Sequence, residues 1–166
     1  MISQSLTDAL NDQLKQELYS SYLYLSMSAY CDDKNLTGFA HWLRLQADEE
    51  RAHGMKFFDF IQDRDRRAVL QSIAQPPRDF GSPLDLFEQV LAHEQEVTSL
   101  IDQLYRKAIA EQDHATQIFL QWFISEQVEE EKTATQILDT LKMAGDSNVA
   151  LLMLDRELAA RTVGAL

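Results

Sequence analysis

Apolar residues recur along most of the chain at alternating steps of three and four, a rhythm that marks out four long amphipathic helices. The first runs from Leu6 to Asp33, with Leu10, Leu14, Ser21, Tyr24 and Ser28 on one stripe. Ser5 is its expected N-cap, with Asp8 three residues on, and the polar cluster Asp32-Asp33-Lys34-Asn35 ends it. The second begins near Thr37 and carries Phe39, Leu43, Gln46, Phe57 and Phe60. The third opens at Ser82-Pro83-Leu84-Asp85, which supplies a capping serine, a proline at the first helical position and an acid in the first turn. Its stripe is Phe87, Leu91, Thr98, Ile101, Tyr105 and Ala108. The fourth starts after Asp113, carries Leu120, Phe123, Ala134, Ile137 and Leu141, and stops at Gly145-Asp146-Ser147-Asn148. A short fifth segment, from Val149 to about Ala160, has Leu151, Leu152, Leu154 and Leu158.

The connections predict how these helices assemble. Only a few polar residues join the first helix to the second and the third to the fourth, so each pair is an antiparallel hairpin. Between the hairpins lies an irregular stretch from Asp65 to Ser82 that contains Pro76-Pro77 and Gly81. A helix of about 28 residues is ~42 Å long, and roughly 17 extended residues reach up to ~56 Å. The stretch can therefore climb the whole bundle and start the third helix at the opposite end. The expected fold is all-α: a four-helix bundle with one long crossover and a short fifth helix, occupying residues 1–166 as a single domain.

Polar residues interrupt the stripes, and their places matter most. Following the inward positions puts Glu17 at the centre of the first helix, and Glu50 with His53 in the second. Glu94 falls on the third stripe, and Gln127 with Glu130 on the fourth. Helices of similar length meet at their midpoints, so all six side chains converge on one level. The step from Glu17 to Glu50 equals that from Glu94 to Gln127, 33 residues, so each hairpin supplies one lone glutamate and one i, i+3 pair. A single inward glutamate is usually a boundary residue or a salt-bridge partner. Four at one depth each cost several kcal/mol to bury and repel one another. No lysine or arginine lies on the central stripes to neutralise them, but two divalent cations would. Carboxylate oxygens with one imidazole and open positions suit iron or manganese better than a closed thiolate zinc site.

Composition sharpens this picture in three ways. The 5 glycines and 3 prolines are few, as an all-helical chain requires. A net charge of -12 repels nucleic acid and anionic lipid and attracts cations. The lone Cys31 excludes an intramolecular disulfide. The opening residues lack a signal-peptide pattern, and no apolar run approaches the ~20 residues of a membrane span. A cytoplasmic protein is expected.

The pattern Glu17, Glu50-x-x-His53, Glu94 and Gln127-x-x-Glu130 resembles the ferritins, a di-iron arrangement that is itself a standard example of a metal site in a helix bundle. The segments Glu17-Leu18-Tyr19-Ser20-Ser21, Leu120-Gln121-Trp122-Phe123 and Ser125-Glu126-Gln127-Val128-Glu129-Glu130-Glu131-Lys132 look especially like the non-haem bacterial ferritins. The resemblance implies iron storage and ferroxidase activity: Fe(II) is oxidised by O2 or H2O2, and ferric mineral is held in a hollow homo-oligomer of 24 subunits. It implies that Glu17 and His53 hold one iron, Glu94 and Glu130 the other, with Glu50 bridging. Gln127 would be the polar group beside the site, and Tyr24 a nearby tyrosine that donates an electron. Glu49, Glu126 and Glu129 fall on a third iron site that shares Glu130; spacing alone reads them equally well as a solvated acidic face.

The second pair departs from the Glu-x-x-His of the general di-iron pattern, which argues for turnover of iron through the site. Arg51 stands where bacterioferritins place a haem-ligating methionine, so no haem is expected. Glu111-x-x-His114 repeats the i, i+3 spacing, but in the turn before the fourth helix, as loop and cap residues. His41 and His93 lie beside the inward stripes, as surface or packing residues. Trp42 and Phe58 fit subunit contacts or core edges. The runner-up function is a di-iron redox enzyme without storage, such as a rubrerythrin-like peroxidase, although that family normally carries a further four-cysteine domain. A bundle whose acids are merely solvated is a second rival; a DNA-guarding mini-ferritin, with its site between subunits, is a third.

Overall fold

A computed structural model describes residues 2–162. It contains α1 (Gln4–Asp33), α2 (Thr37–Asp63), α3 (Pro83–Ala110), α4 (His114–Ala144) and α5 (Asn148–Leu158), with no strand among the described residues. α1 begins earlier than the pattern suggests. Its N-cap is Ser3, whose hydroxyl accepts from the Leu6 amide at 3.0 Å, while Ser5 lies exposed within the first turn. Both serines can cap; starting at Ser3 lets Ile2 enter the core beneath the helix, where it is buried. α3 has the expected capping box, formed reciprocally by Ser82 and Asp85. Asp113 caps α4 by accepting from Thr116 at 2.9 Å. The same carboxylate takes two hydrogen bonds from Arg64, at 2.9 and 2.7 Å, which tie the end of α2 to the start of α4 and hold its pKa well below the usual range.

The crossover is traced by its hydrogen bonds to α1. Arg66 donates to the Ile2 carbonyl and the Val69 amide to Asn11. Ser26 then donates to the Pro77 carbonyl and Tyr30 to that of Gly81. The segment thus rises beside α1 from its N-terminal to its C-terminal end, and α3 starts at the far end of the bundle. α3 consequently runs antiparallel to α1, and the turn after it returns Glu111 to hydrogen-bonding distance of Ser3.

The core falls into two apolar clusters. One is built from Leu6, Leu10, Leu14, Phe57, Ile61, Val97, Ile101, Leu104, Leu120 and Phe123. The other comprises Leu23, Tyr24, Met27, Phe39, Leu43, Phe87, Val90, Ala134, Ile137 and Leu141, extended by Leu154 and Leu158 of α5. Between them, at the helix midpoints, lies the polar belt.

α5 packs across the start of α2. The N-cap position of α2, Leu36, offers no side-chain acceptor. Instead Asp155 Oδ1 accepts from the amides of Gly38 and Phe39 at 2.9 and 3.0 Å. These are two of the orphan donors that a local cap would satisfy. The approach is close enough to demand glycine, since a Cβ on Gly38 would lie 1.6 Å from the Asp155 carbonyl oxygen. Gly38→Ala is expected to push α5 off and lose this cap, lowering stability by roughly 2–4 kcal/mol. Urea unfolding measures this, and an unchanged midpoint would mean that α5 does not dock here. The fifth stripe also divides more sharply than its spacing suggests. Leu154 and Leu158 are buried, whereas Val149, Leu152 and Met153 are exposed.

Candidate metal centre

Each helix brings its midpoint polar residues to the belt, and the two flanking apolar clusters hold them away from water. Glu17, Glu50 and Glu94 are each 2 % exposed, His53 and Gln127 5 %, and Glu130 6 %. Glu17, Glu50 and His53 each offer a ligand atom within 4.8 Å of the others, as do His53, Glu126 and Glu130. His53 stands between the two groups, its Nδ1 3.4 Å from Glu50 and its Nε2 3.9 Å from Glu126. The edges of Trp122 and Phe123 pack on its ring, with centroids at 5.3 and 6.1 Å. Lys56 covers the other partner, 2.8 Å above the Trp122 ring.

Glu94 belongs to neither group. Its carboxylate accepts from the Tyr24 hydroxyl and, at 3.2 Å, from Gln127 Nε2, which also donates to the Glu94 carbonyl. Gln127 reaches Thr98 as well, and Thr98 donates to Glu131. The further acids stand apart. Glu49 is half-buried and paired with Arg161, Glu126 is half-buried beside His53, and Glu129 is exposed and paired with Lys132 at 3.4 Å.

The electrostatics follow from burial without a counter-cation. Among the described residues no lysine or arginine pairs with Glu17, Glu50, Glu94 or Glu130. Burial, then the charge of Glu50, raises the pKa of Glu17 well above the usual carboxylate range. Burial and the charges of Glu94 and Glu130 do the same to Glu50. Glu94 is raised by burial against the opposing hydrogen bond from Tyr24. Glu130 is pushed up to about 8 by burial and the Glu94 charge. One of its oxygens, Oε1, is buried with no hydrogen-bond partner. A buried, unpartnered carboxylate oxygen costs about 1–3 kcal/mol or more, and a proton or a metal ion would relieve it. Burial beside Glu94 raises the Tyr24 phenol above its ordinary value too.

Several residues that serve the belt were not singled out by the pattern. Gln13 donates to Glu17 at 2.8 Å. Gln46 donates to Glu50 at 3.3 Å and to Glu130 at 2.7 Å, bridging α2 to α4. Both are glutamines four residues before an inward glutamate, and that repeated spacing is the sequence signal for them. His93 is buried, its Nε2 2.8 Å from the Ser20 hydroxyl and its ring edge-on to Tyr19 and Tyr24, so it is a packing residue of the core. Burial holds it neutral, with a pKa lowered to about 4. Trp42 is likewise buried, and His41 is exposed. Glu111 and His114 lie at the α3–α4 turn, away from the belt. No helix among the described residues is long and apolar enough to cross a membrane.

Comparison with known proteins agrees with this architecture. The family described as the ferritin-like domain matches residues 7–144. A bacterial non-heme ferritin of Staphylococcus haemolyticus is 44% identical over 162 residues, 98% of each chain. Another, from Bacteroides fragilis, is 44% identical over 161 residues, 97% of this chain and 100% of that one. Among solved structures, the open pore ferritin from the hyperthermophilic archaeon Archaeoglobus fulgidus superposes with a TM-score of 0.97 at 46% identity, covering 98% of this chain and 99% of that one.

Proposed function

The chain belongs to the ferritin family, and from that footing we propose that it stores iron by oxidising Fe(II) at the polar belt and holding the ferric product inside a homo-oligomeric cage. The observation that carries the reading is the set of four buried glutamates and one imidazole at one level of the bundle, with no lysine or arginine paired to those glutamates among the described residues. Fe(II) enters as substrate. Glu17 and His53 hold one ion, Glu130 and Glu94 the other, and Glu50 bridges. Glu94 can take up the second ion through the remaining lone pairs of its carboxylate while it keeps the hydrogen bonds from Tyr24 and Gln127. Hard carboxylate oxygens favour the ferric state, which lowers the cost of oxidation. Two Fe(II) each lose one electron, and O2 takes both with two protons to give H2O2; with H2O2 as oxidant the product is water.

Tyr24 is suited to supply a further electron, which together with one from a third Fe(II) takes H2O2 on to two waters with two protons. Its phenol is neutral at ordinary pH, so losing an electron means losing a proton, and Glu94 is in place to accept it. Gln127 orients Glu94 from the other side. Glu49, Glu126 and Glu130, with Glu129 at the exposed edge, form the proposed third iron position. The residue after Glu50, Arg51, is exposed on α2, and the reading includes no haem.

Exposed apolar residues support assembly. Leu25 of α1 and Ile73 of the crossover line one groove, with Val69 and Leu70 exposed nearby in the chain, and α5 exposes Val149, Leu152 and Met153. Exposed apolar residues in such numbers suit burial between subunits, and a shell of 24 subunits is the proposed assembly. Metal-free protein given Fe(II) in air is expected to develop ferric absorbance rapidly while its native mass corresponds to the shell. A small oligomer that leaves Fe(II) unoxidised would eliminate the reading and leave a solvated bundle. Rapid oxidation by H2O2 with no retained mineral would favour a di-iron peroxidase.

A further inference from the structure

We propose that Arg161 is a displaceable cation at the third iron position, so that the segment after α5 must release Glu49 before a metal ion can bind there. The inference rests on the reading of Glu49 as a ligand of that position.

The segment is built for this contact. Beyond α5 the backbone closes a turn, the Ala160 and Arg161 amides donating to the carbonyls of Glu157 and Leu158. The Arg161 carbonyl pairs with His41 Nε2 at 2.8 Å, which anchors the main chain to the outer face of α2. Its guanidinium then lies 4.6 Å from the Trp42 ring centroid, a cation–π contact that fixes the plane of the fork. One arm donates to Gln46 Oε1 at 2.9 Å and more weakly to the Trp42 carbonyl, and the other to Glu49. Side-chain exposure is 12% for Arg161 and 19% for Glu49, so the pair is screened only partly by water.

The contact also reaches the belt. With its oxygen occupied by Arg161, Gln46 must turn its amide group inward, where it donates to both Glu50 and Glu130. Arg161 therefore neutralises one proposed ligand directly and, through one amide, orients two more. A metal ion at Glu49 meets a resident positive charge and must displace it. Glu129, left exposed at the rim, is free of this restraint apart from its surface pairing with Lys132.

Anaerobic calorimetric titration of the full metal-free protein with Zn2+, which undergoes no redox step, separates the dinuclear positions from the weaker third. In Arg161→Gln the third affinity is expected to rise about tenfold, since a partly buried competing ion pair is removed, while the two tighter sites, which Arg161 reaches only through Gln46, change by a smaller factor. Arg161→Lys retains a cation opposite Glu49 and is expected to stay near wild type. That variant distinguishes charge competition from mere loosening of the segment. Zn2+ saturation of the wild type should also speed amide exchange around residues 160–162. A third affinity that is unchanged or weaker in Arg161→Gln, or a segment whose exchange ignores Zn2+, overturns the inference alone. Wild-type protein that binds no Zn2+ at the dinuclear positions overturns the proposed function instead.

Discussion

Replacing Glu50 with alanine is expected to slow aerobic Fe(II) oxidation by about a hundredfold or more while leaving the assembled mass unchanged. Loss of groups merely supporting a metal ligand costs about 10–100-fold, and Glu50 occupies a more central place. It shares one group with Glu17 and His53, and Gln46 links it to Glu130. Removing it separates the two halves of the belt electrostatically and removes the carboxylate proposed to bridge the two ions. The fold should tolerate the change. In the metal-free protein Glu50 is buried among like charges, so its loss relieves repulsion and offsets part of the cavity left behind, itself about 2–4 kcal/mol for a large-to-small change. Glu17→Ala should act in the same direction through one ion alone. Stopped-flow ferric absorbance with native mass measures both variants. Oxidation at the wild-type rate in each would remove the belt from the chemistry.

The metal-free protein should lose stability as pH rises from 6.5 to 8.5, and divalent metal should restore it. Glu130 has its pKa pushed up to about 8, and Glu17, Glu50 and Glu94 are raised as well, by burial first in every case. A carboxyl whose folded pKa exceeds its unfolded value holds its proton better in the folded state. Its contribution is complete below the unfolded pKa and is lost as pH climbs through the folded one. His93 works oppositely, its pKa lowered to about 4 by burial, but its contribution is already complete above its unfolded value of about 6.5. The chosen window therefore isolates the carboxylates. Glu130 alone contributes about 2 kcal/mol across it at 1.36 kcal/mol per unit. That corresponds to a fall of about 5 °C in the thermal midpoint for a chain of this size. Saturating Zn2+ replaces the protons, binds only the folded state and raises the midpoint by mass action. A midpoint that climbs with pH in the absence of metal would show that the belt is neutralised by something other than protons or metal.

The four long helices and the crossover were legible in the sequence because burial imposes the 3.6-residue period on every inward face, and because the irregular stretch between α2 and α3 is long enough to climb the bundle. The central polar positions were legible for the same reason: Glu17, Glu50, His53, Glu94, Gln127 and Glu130 break an otherwise apolar register, and the structure buries all six. The N-cap of α1 was not, since Ser3 and Ser5 have equal capping chemistry and only the burial of Ile2 chooses between them. Nor did spacing separate the acids that the fold draws together from those it leaves outside. Glu126 and Glu129 are neighbours on one helix, yet the first lies against His53 and the second faces water beside Lys132.

What the sequence determined by itself, then, is which faces are buried and which polar groups are carried in with them, because periodicity is a local property of each helix. The tertiary structure alone decided which of those groups touch. Gln46 reaches Glu130 on α4, Asp155 caps a helix more than a hundred residues earlier, and Arg161 reaches Glu49 across 112 positions. Such contacts depend on the relative placement of whole helices, set by packing of side chains far from the contact, and no local pattern in the chain encodes them.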